Sequence, residues 1–197
     1  MYRMEHGGTF AVFLACDALR RDYHATIYTY NLLVFDPSWF FGRPEGFIAE
    51  RLAQQRDVKP DRRLQHVTPG YLEFLELGGR LRFRDLTPRL IHRILELRYP
   101  IITGLSSTYL YRHPREHRPR DLPDDVRGSP AGHFVVIAGY DPHTRRVLVI
   151  DPYQPHPYGP THEYWISAAR VIGAILLGVL THDANMLVIH PPRMRLQ

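Results

Sequence analysis

A histidine and an aspartate bracket the most informative part of the sequence. His133 stands at the start of an apolar, β-branched run (residues 132–140), and Asp151 directly follows a second such run (residues 146–150). The linking residues 141–144, Asp-Pro-His-Thr, have good turn chemistry, so the two runs are predicted to form an antiparallel hairpin. That pairing places the start of the first strand beside the end of the second, and so brings His133 and Asp151 together at one rim of a sheet.

A carboxylate beside an imidazole fixes the imidazole's tautomer and stabilises its cation. Together the two groups form two thirds of a nucleophile–His–acid triad. The spacing of His133 and Asp151 also fits a hydrogen bond that only ties off the hairpin. From the residues alone both interpretations remain open.

The elements that must position this pair are predicted from periodicity and turn signals. Helices come first and antiparallel strands later, which favours an α+β fold with N-terminal helices packed on a C-terminal antiparallel sheet. No repeat or linker divides the chain, so a single domain is expected over residues 1–197, with a helical part over about 1–99 and a sheet part over about 100–197. The helices are predicted at 10–21, 45–56, 69–77, 87–98 and 167–177, and the strands at 25–30, 80–83, 101–105, 132–140, 146–150 and 186–190. Thr68 is the expected N-cap of the third helix, with Pro69 in its first turn.

The hairpin also carries a resemblance. Gly-His-Phe-Val-Val-Ile-x-Gly-Tyr-Asp, followed by a turn and Val-x-Val-x-Asp-Pro, is similar to the His/Asp half of the papain-like cysteine peptidases that cut double-glycine leaders from bacteriocin precursors. It resembles most closely the related bacterial stand-alone peptidase-like domains, over roughly residues 100–189. The resemblance implies a papain-like fold, with His133 as general base and Asp151 as its orienting acid. It also implies a cysteine nucleophile at the N-terminus of the first long helix, in a Cys-Gly-Pro-like setting with a glutamine shortly before it.

The chain departs from that pattern at the nucleophile. It contains no Cys-Gly-Pro, and its single cysteine, Cys16, lies about two turns inside the first predicted helix, beside Asp17. A helix N-terminus lowers a thiol pKa only within its first turn, so Cys16 is interpreted as a packing residue. Thr9 stands at the helix start after two glycines and offers a hydroxyl, but an N-cap is the favoured interpretation.

Two explanations account for the missing nucleophile. Either the chain begins downstream of a cysteine-bearing segment that a longer form possesses, or it is a catalytically inactive relative that binds a peptide without cutting it. The first predicts a thiol-dependent peptide-bond hydrolase, and the second a peptide-binding or interaction module. In both, the expected partner is a peptide or protein.

A second motif points to metal chemistry and is disfavoured by its setting. Residues 113–117 match H-x-x-E-H, the pattern in which two histidines on one face of a helix bind zinc. Pro114 separates the two histidines and Pro119 follows, within a Pro- and Arg-rich stretch at 112–130 that is predicted to be a loop. No metal site and no cofactor is therefore predicted. The other histidines considered, His143, His156, His162 and His182, are expected at solvated loop positions.

Composition limits the remaining function classes. Hydrophobic residues make up 44% and charged residues 23%, which is typical of a globular protein. One cysteine excludes an internal disulfide, and the longest apolar run considered, ten residues at 171–180, is too short to span a bilayer. The net charge is +5, but the arginines are scattered, so nucleic-acid binding is not predicted. Without a visible secretory signal, a cytoplasmic protein is expected. The resemblance implies a bacterial one.

Overall fold

The computed structural model describes residues 9–117, 120–181 and 183–192 and has an α+β fold, as the order of elements predicts. The chain forms two compact units. Residues 1–84 and 186–197 make the first unit, and residues 85–185 make the second. Within the described ranges, no helix is long and apolar enough to cross a membrane.

The first unit combines three helices with a short parallel strand pair. Its elements are α1 (Ala11–Arg20), β1 (His24–Thr29), a 3-10 helix (Pro37–Phe40), α2 (Phe47–Val58), α3 (Arg62–Glu76), β2 (Arg80–Arg82) and, from residue 186, the last strand β9 (Asn185–His190). The strands β1 and β2 pair in parallel, with Ile27 opposite Leu81. The strands predicted at 25–30 and 80–83 are confirmed as β1 and β2. The aromatic side chains of Phe35, Tyr71 and Phe74 are fully buried here.

The start of α3 differs from the prediction. The helix begins at Arg62, where the Asp61 carboxylate accepts hydrogen bonds from the backbone N–H groups of Arg63 and Leu64. Thr68 is therefore a buried residue inside the helix rather than its N-cap, and Pro69 lies in the helix interior. A proline there removes one backbone donor, and burial of an apolar face at helical spacing compensates for that loss. That face consists of Leu64, Val67, Tyr71 and Phe74.

The second unit is built on an antiparallel sheet in the order β3-β6-β7-β8. Its elements are α4 (Pro88–Glu96), β3 (Ile101–Ser106), α5 (Ser107–Tyr111), β4 (Glu116–His117), β5 (Leu122–Pro123), β6 (Gly132–Asp141), β7 (Arg146–Ile150), β8 (Glu163–Ser167), α6 (Ala168–Leu177) and a 3-10 helix (Gly178–Thr181). The predicted hairpin is confirmed as β6 and β7, and Thr87 caps α4 as expected. The elements α5 and β8 were not predicted.

Candidate active site

The structure brings His133 and Asp151 into direct contact. His133 Nε2 lies 2.7 Å from Asp151 Oδ1. The aspartate side chain is completely buried, whereas the histidine side chain is 21% exposed. The predicted proximity of the two residues is confirmed, and the arrangement has a solvent-facing imidazole backed by an inaccessible carboxylate.

A one-residue bulge interrupts the ladder between β6 and β7. Near the turn, Gly139 pairs with Leu148, but further along Ile137 pairs with Val149. Between these two pairs β6 advances by two residues and β7 by one, so Ala138 of β6 is the extra residue. Such a bulge changes which face of the sheet the later residues of that strand occupy.

This register shift decides whether the candidate pair can meet. Extending the register beyond the bulge places Asp151 opposite Val135, two residues from His133 and on the same face. The register set at the turn would instead place Asp151 opposite Val136, on the other face from His133. The contact between His133 and Asp151 therefore depends on the bulge as well as on the hairpin.

Four hydrogen bonds converge on the Asp151 carboxylate. Oδ1 is bonded to His133 Nε2 and accepts from the backbone N–H of Tyr153, at 3.0 Å. Oδ2 accepts from the hydroxyls of Tyr111, at 2.6 Å, and Tyr164, at 2.7 Å. Burial raises the pKa of Asp151, but these hydrogen bonds outweigh it and hold the pKa below its usual range. The carboxylate is ionised at neutral pH.

An ionised Asp151 determines the tautomer of His133. Because the carboxylate can only accept hydrogen bonds, the imidazole proton resides on Nε2 when the ring is neutral. Nδ1 is then the basic nitrogen that remains for a reacting group. This is an imidazole oriented for general-base chemistry.

Sequence analysis missed the two tyrosines that hold the carboxylate. Burial, followed by the hydrogen bond to Asp151, raises the pKa of both Tyr111 and Tyr164 above the ordinary value, so both hydroxyls remain protonated donors. Tyr164 belongs to β8 and pairs with Val149, next to Asp151 along the sheet. The run of β-favouring residues Tyr164, Trp165 and Ile166 was the sequence signal that could have revealed β8, whereas Tyr111 lies in a five-residue helix with little periodicity.

Two further histidines are part of the structure around Asp151. His162 Nδ1 lies 2.7 Å from the Asp151 carbonyl oxygen, and the Asp151 N–H donates to the His162 carbonyl at 2.8 Å. His156 is buried and its ring lies 4.5 Å from that of Tyr164. The expectation of a solvated loop position is wrong for His156, which is buried, whereas His162 is exposed in the loop as expected. His182 lies outside the described residues.

His133 lines a small cavity of about 130 Å³. The lining also includes Ser107, Thr108, Tyr111, His113 and Tyr153. Since the sequence places its single cysteine at position 16, no thiol belongs to this wall. The site therefore places an imidazole, backed by a buried carboxylate, beside a space that a small group can enter.

Cys16, the only thiol in the chain, belongs to the first unit and is inert there. Its side chain is 1% exposed, and Sγ lies 3.5 Å from the Gly70 carbonyl oxygen, to which it donates. Burial, reinforced by the negative charge of Glu73, raises the pKa of Cys16 to about 11. The thiol is protonated at neutral pH, which agrees with its interpretation as a packing residue.

Thr9 does not cap the first helix. The N-cap of α1 is Phe10, which has an extended backbone and makes no side-chain cap hydrogen bond. The Phe10 ring is buried and packs edge-on against Phe13, with ring centroids 6.1 Å apart. Burial of this ring, worth about 2 kcal/mol, anchors the start of the helix on the core without a polar cap. Gly7 and Gly8 lie outside the described residues.

The H-x-x-E-H segment does not form the helix that the zinc pattern requires. Arg112 has a left-handed backbone (φ 58°) and ends α5, so His113 lies beyond that helix. Glu116 and His117 form β4, which pairs with β5. Among the described residues, no three His, Cys, Asp or Glu side chains are grouped to hold a metal ion.

Residues 89–170 match the family model described as Peptidase_C39 like family. This part of the chain is similar to that family. The match covers less than half of the chain, but it includes His133, Asp151 and both tyrosines that bind the carboxylate. The resemblance seen in the hairpin sequence is confirmed over these residues. Neither the curated proteins nor the solved structures give a significant match to the chain.

Proposed function

We propose that the C39-like region provides the base and the orienting acid for thiol-dependent hydrolysis of a peptide bond, with the nucleophilic cysteine supplied by a longer form of the chain. His133 is the base and Asp151 the acid. The observation that carries this proposal is the buried, ionised Asp151, which holds His133 Nε2 at 2.7 Å. The two tyrosine hydroxyls on the second carboxylate oxygen support the proposal, because they keep the acid ionised and fixed beside the imidazole.

The chemistry assigned to these groups is a two-step acyl transfer. Nδ1 of neutral His133 takes the proton of the thiol, and the thiolate attacks the peptide carbonyl carbon. Asp151 stabilises the imidazolium, which then protonates the leaving amine as the C–N bond breaks and a thioester remains. In the second step His133 takes a proton from water, which attacks the thioester and releases the acid and the free thiol.

Cys16 does not supply this nucleophile in the proposed reaction. It is buried and its thiol is protonated. The same observation favours a second candidate function. If no other cysteine joins His133, the region is a peptide-binding module whose cleft holds a peptide without cutting it.

One experiment separates the two functions. The natural protein is isolated from its own cells, its intact mass is measured, and it is incubated with a peptide digest of a standard protein while mass spectrometry records new termini. Hydrolysis that iodoacetamide abolishes supports the peptidase. A species of 23.0 kDa that binds peptides but creates no new termini, with or without alkylation, supports the binding module and contradicts the peptidase.

A further inference from the structure

Three arginines lie in the wall of another cavity in the second unit. It has a volume of about 430 Å³, and its wall includes Ser106, Thr108, Tyr109, Arg112, Arg115 and Arg170. We propose that this cavity binds a carboxylate of the peptide substrate, and so selects substrates with an acidic side chain or a free C-terminus close to the reacting bond. This deepens the proposed function, on which it rests, by naming a substrate class.

The positive charge in the cavity has no acidic counterpart. None of the residues lining it is acidic. Within the part of the chain that the structure describes, Arg112, Arg115 and Arg170 make no ion pair. The nearby Asp124 is paired instead with Arg127, at 2.7 Å. Arg115 already donates from Nη2 to the backbone carbonyl oxygen of Asp125. Guanidinium groups match the geometry of a carboxylate, so the charges of Arg112 and Arg170 favour an anionic ligand group.

Arg170 is held in place by the packing of α6 on α5. Its Cζ lies 4.6 Å from the centroid of the Tyr109 ring, at a distance typical of a cation–π contact. Gly173, one helical turn further along, permits this packing, because a Cβ there would lie 2.9 Å from the Tyr109 ring. The guanidinium is therefore positioned by a ring that is itself confined by a glycine.

The guanidinium of Arg170 keeps its charge at the wall of the cavity. Burial opposes that charge, but hydrogen bonds with the phenol groups of Tyr109 and Tyr158 outweigh it and raise the pKa of the guanidinium. A cation held in this way beside the cavity attracts an anionic ligand group.

The arginine cavity adjoins the cavity of His133. Thr108 lines both. Its Oγ1 accepts from the Ala131 N–H at 2.9 Å, and the neighbouring Ser107 hydroxyl donates to the Ala131 carbonyl at 3.1 Å, so the shared wall is braced. A peptide with its reacting bond at His133 has a neighbouring residue within reach of the arginines.

The rest of the arginine cavity is apolar. Pro130, Leu177 and Leu180 contribute to its wall. A ligand that fits such a wall combines a carboxylate with methylene or larger apolar groups. A glutamate side chain and an apolar C-terminal residue both have this chemistry, and they differ in the source of the carboxylate.

The test measures binding in the His133→Ala variant of the natural protein, so that no probe is consumed. The probes are three fluorescein-labelled decapeptides of glycine and alanine with a central leucine. The first has a glutamate after the leucine and an amidated C-terminus, the second has glutamine there and an amide, and the third has glutamine and a free carboxylate. Fluorescence anisotropy gives the affinity of each peptide.

At least one carboxylate-bearing peptide is expected to bind about tenfold more tightly than the neutral peptide. Tighter binding of the first peptide identifies a side-chain carboxylate, and tighter binding of the third identifies a C-terminus. Arg170→Gln is expected to remove the preference, and Arg112→Gln to reduce it. Arg93→Gln in α4 removes the same charge away from the cavity and is expected to leave the preference unchanged.

Three results overturn the carboxylate site. They are equal affinity for all three peptides, absence of binding at millimolar peptide, and a preference that survives both Arg170→Gln and Arg112→Gln. Circular dichroism identifies a misfolded variant. If Arg170→Gln misfolds, the peptide preference of Arg112→Gln decides, because that substitution changes an exposed side chain. A carboxylate preference without hydrolysis by the parent protein contradicts only the peptidase, and hydrolysis without the preference contradicts only the arginine site.

Discussion

Asp151 and His133 form a pair in which the carboxylate is wholly inaccessible and the imidazole reaches solvent, with 2.7 Å between Oδ1 and Nε2. The remaining lone pairs of Asp151 are occupied by a backbone N–H and two tyrosine hydroxyls. The aspartate is therefore fixed by the protein, and the histidine is fixed by the aspartate. This order of support is what an orienting acid requires.

The first prediction concerns the tautomer of His133. Because ionised Asp151 accepts from Nε2, the neutral ring is expected to carry its proton on Nε2 and to leave Nδ1 unprotonated. The ¹⁵N chemical shifts of the imidazole in a labelled sample report this directly. An Nδ1–H tautomer in the folded protein would contradict the assigned geometry.

The second prediction concerns the tyrosines bound to Asp151. Tyr111→Phe and Tyr164→Phe each remove one hydrogen bond to a buried carboxylate and are expected to lower the free energy of unfolding by about 1–3 kcal/mol. Tyr153→Phe is the matched control, since Tyr153 contacts the carboxylate through its backbone N–H. Urea denaturation measures all three, and equal stability of the three variants would show that the hydroxyls do not support Asp151.

The third prediction is a pH dependence of stability. The folded-state pKa of Asp151 is depressed, so its contribution is present above the unfolded-state value of about 4 and is lost as the pH falls towards the folded-state value. Stability is therefore expected to decline below about pH 4, and less steeply in Asp151→Asn, which has no carboxyl group to titrate. Urea titrations at several acidic pH values give the free energy of unfolding of the parent protein and of Asp151→Asn as a function of pH. Equal slopes for the two proteins would exclude Asp151 as a source of the decline.

The fourth prediction concerns the thiol of Cys16. Since the side chain is buried and its pKa is raised to about 11, alkylation is expected to be very slow in the folded protein and fast in denaturant. Mass spectrometry of the 197-residue chain after iodoacetamide treatment, with and without urea, gives both rates. Rapid modification of the folded chain would reopen the assignment of Cys16 as nucleophile.

Much of the candidate site could be predicted from the sequence. The two β-branched runs, the turn between them and the positions of His133 and Asp151 indicate the hairpin and the contact. The bulge could not be derived, because one extra residue in a strand changes the facing of side chains without changing composition; Gly139 inside the run was the one local signal. The contact between His133 and Asp151 was thus predicted because the hairpin brings both residues to one rim of the sheet. The register shift that allows the contact was not predicted.

Other features were missed because they depend on tertiary packing. The start of α3 was misplaced, since Thr68-Pro69 resembles a helix start, whereas Asp61 is the residue that caps it. The scattered arginines carried no signal in the sequence, yet Arg112, Arg115 and Arg170 line one cavity. Residues separated by more than fifty positions are brought together only by the fold.

The most direct measurement of the central claim is peptide hydrolysis by the natural protein with His133 replaced by glutamine. Loss of the general base is expected to lower the rate by about 10²–10⁴-fold. His143→Gln is the matched control, because His143 lies in the hairpin turn outside the His133 cavity and is expected to leave the rate unchanged. Hydrolysis at the parental rate by a folded His133→Gln variant would contradict the assignment of His133 as the base.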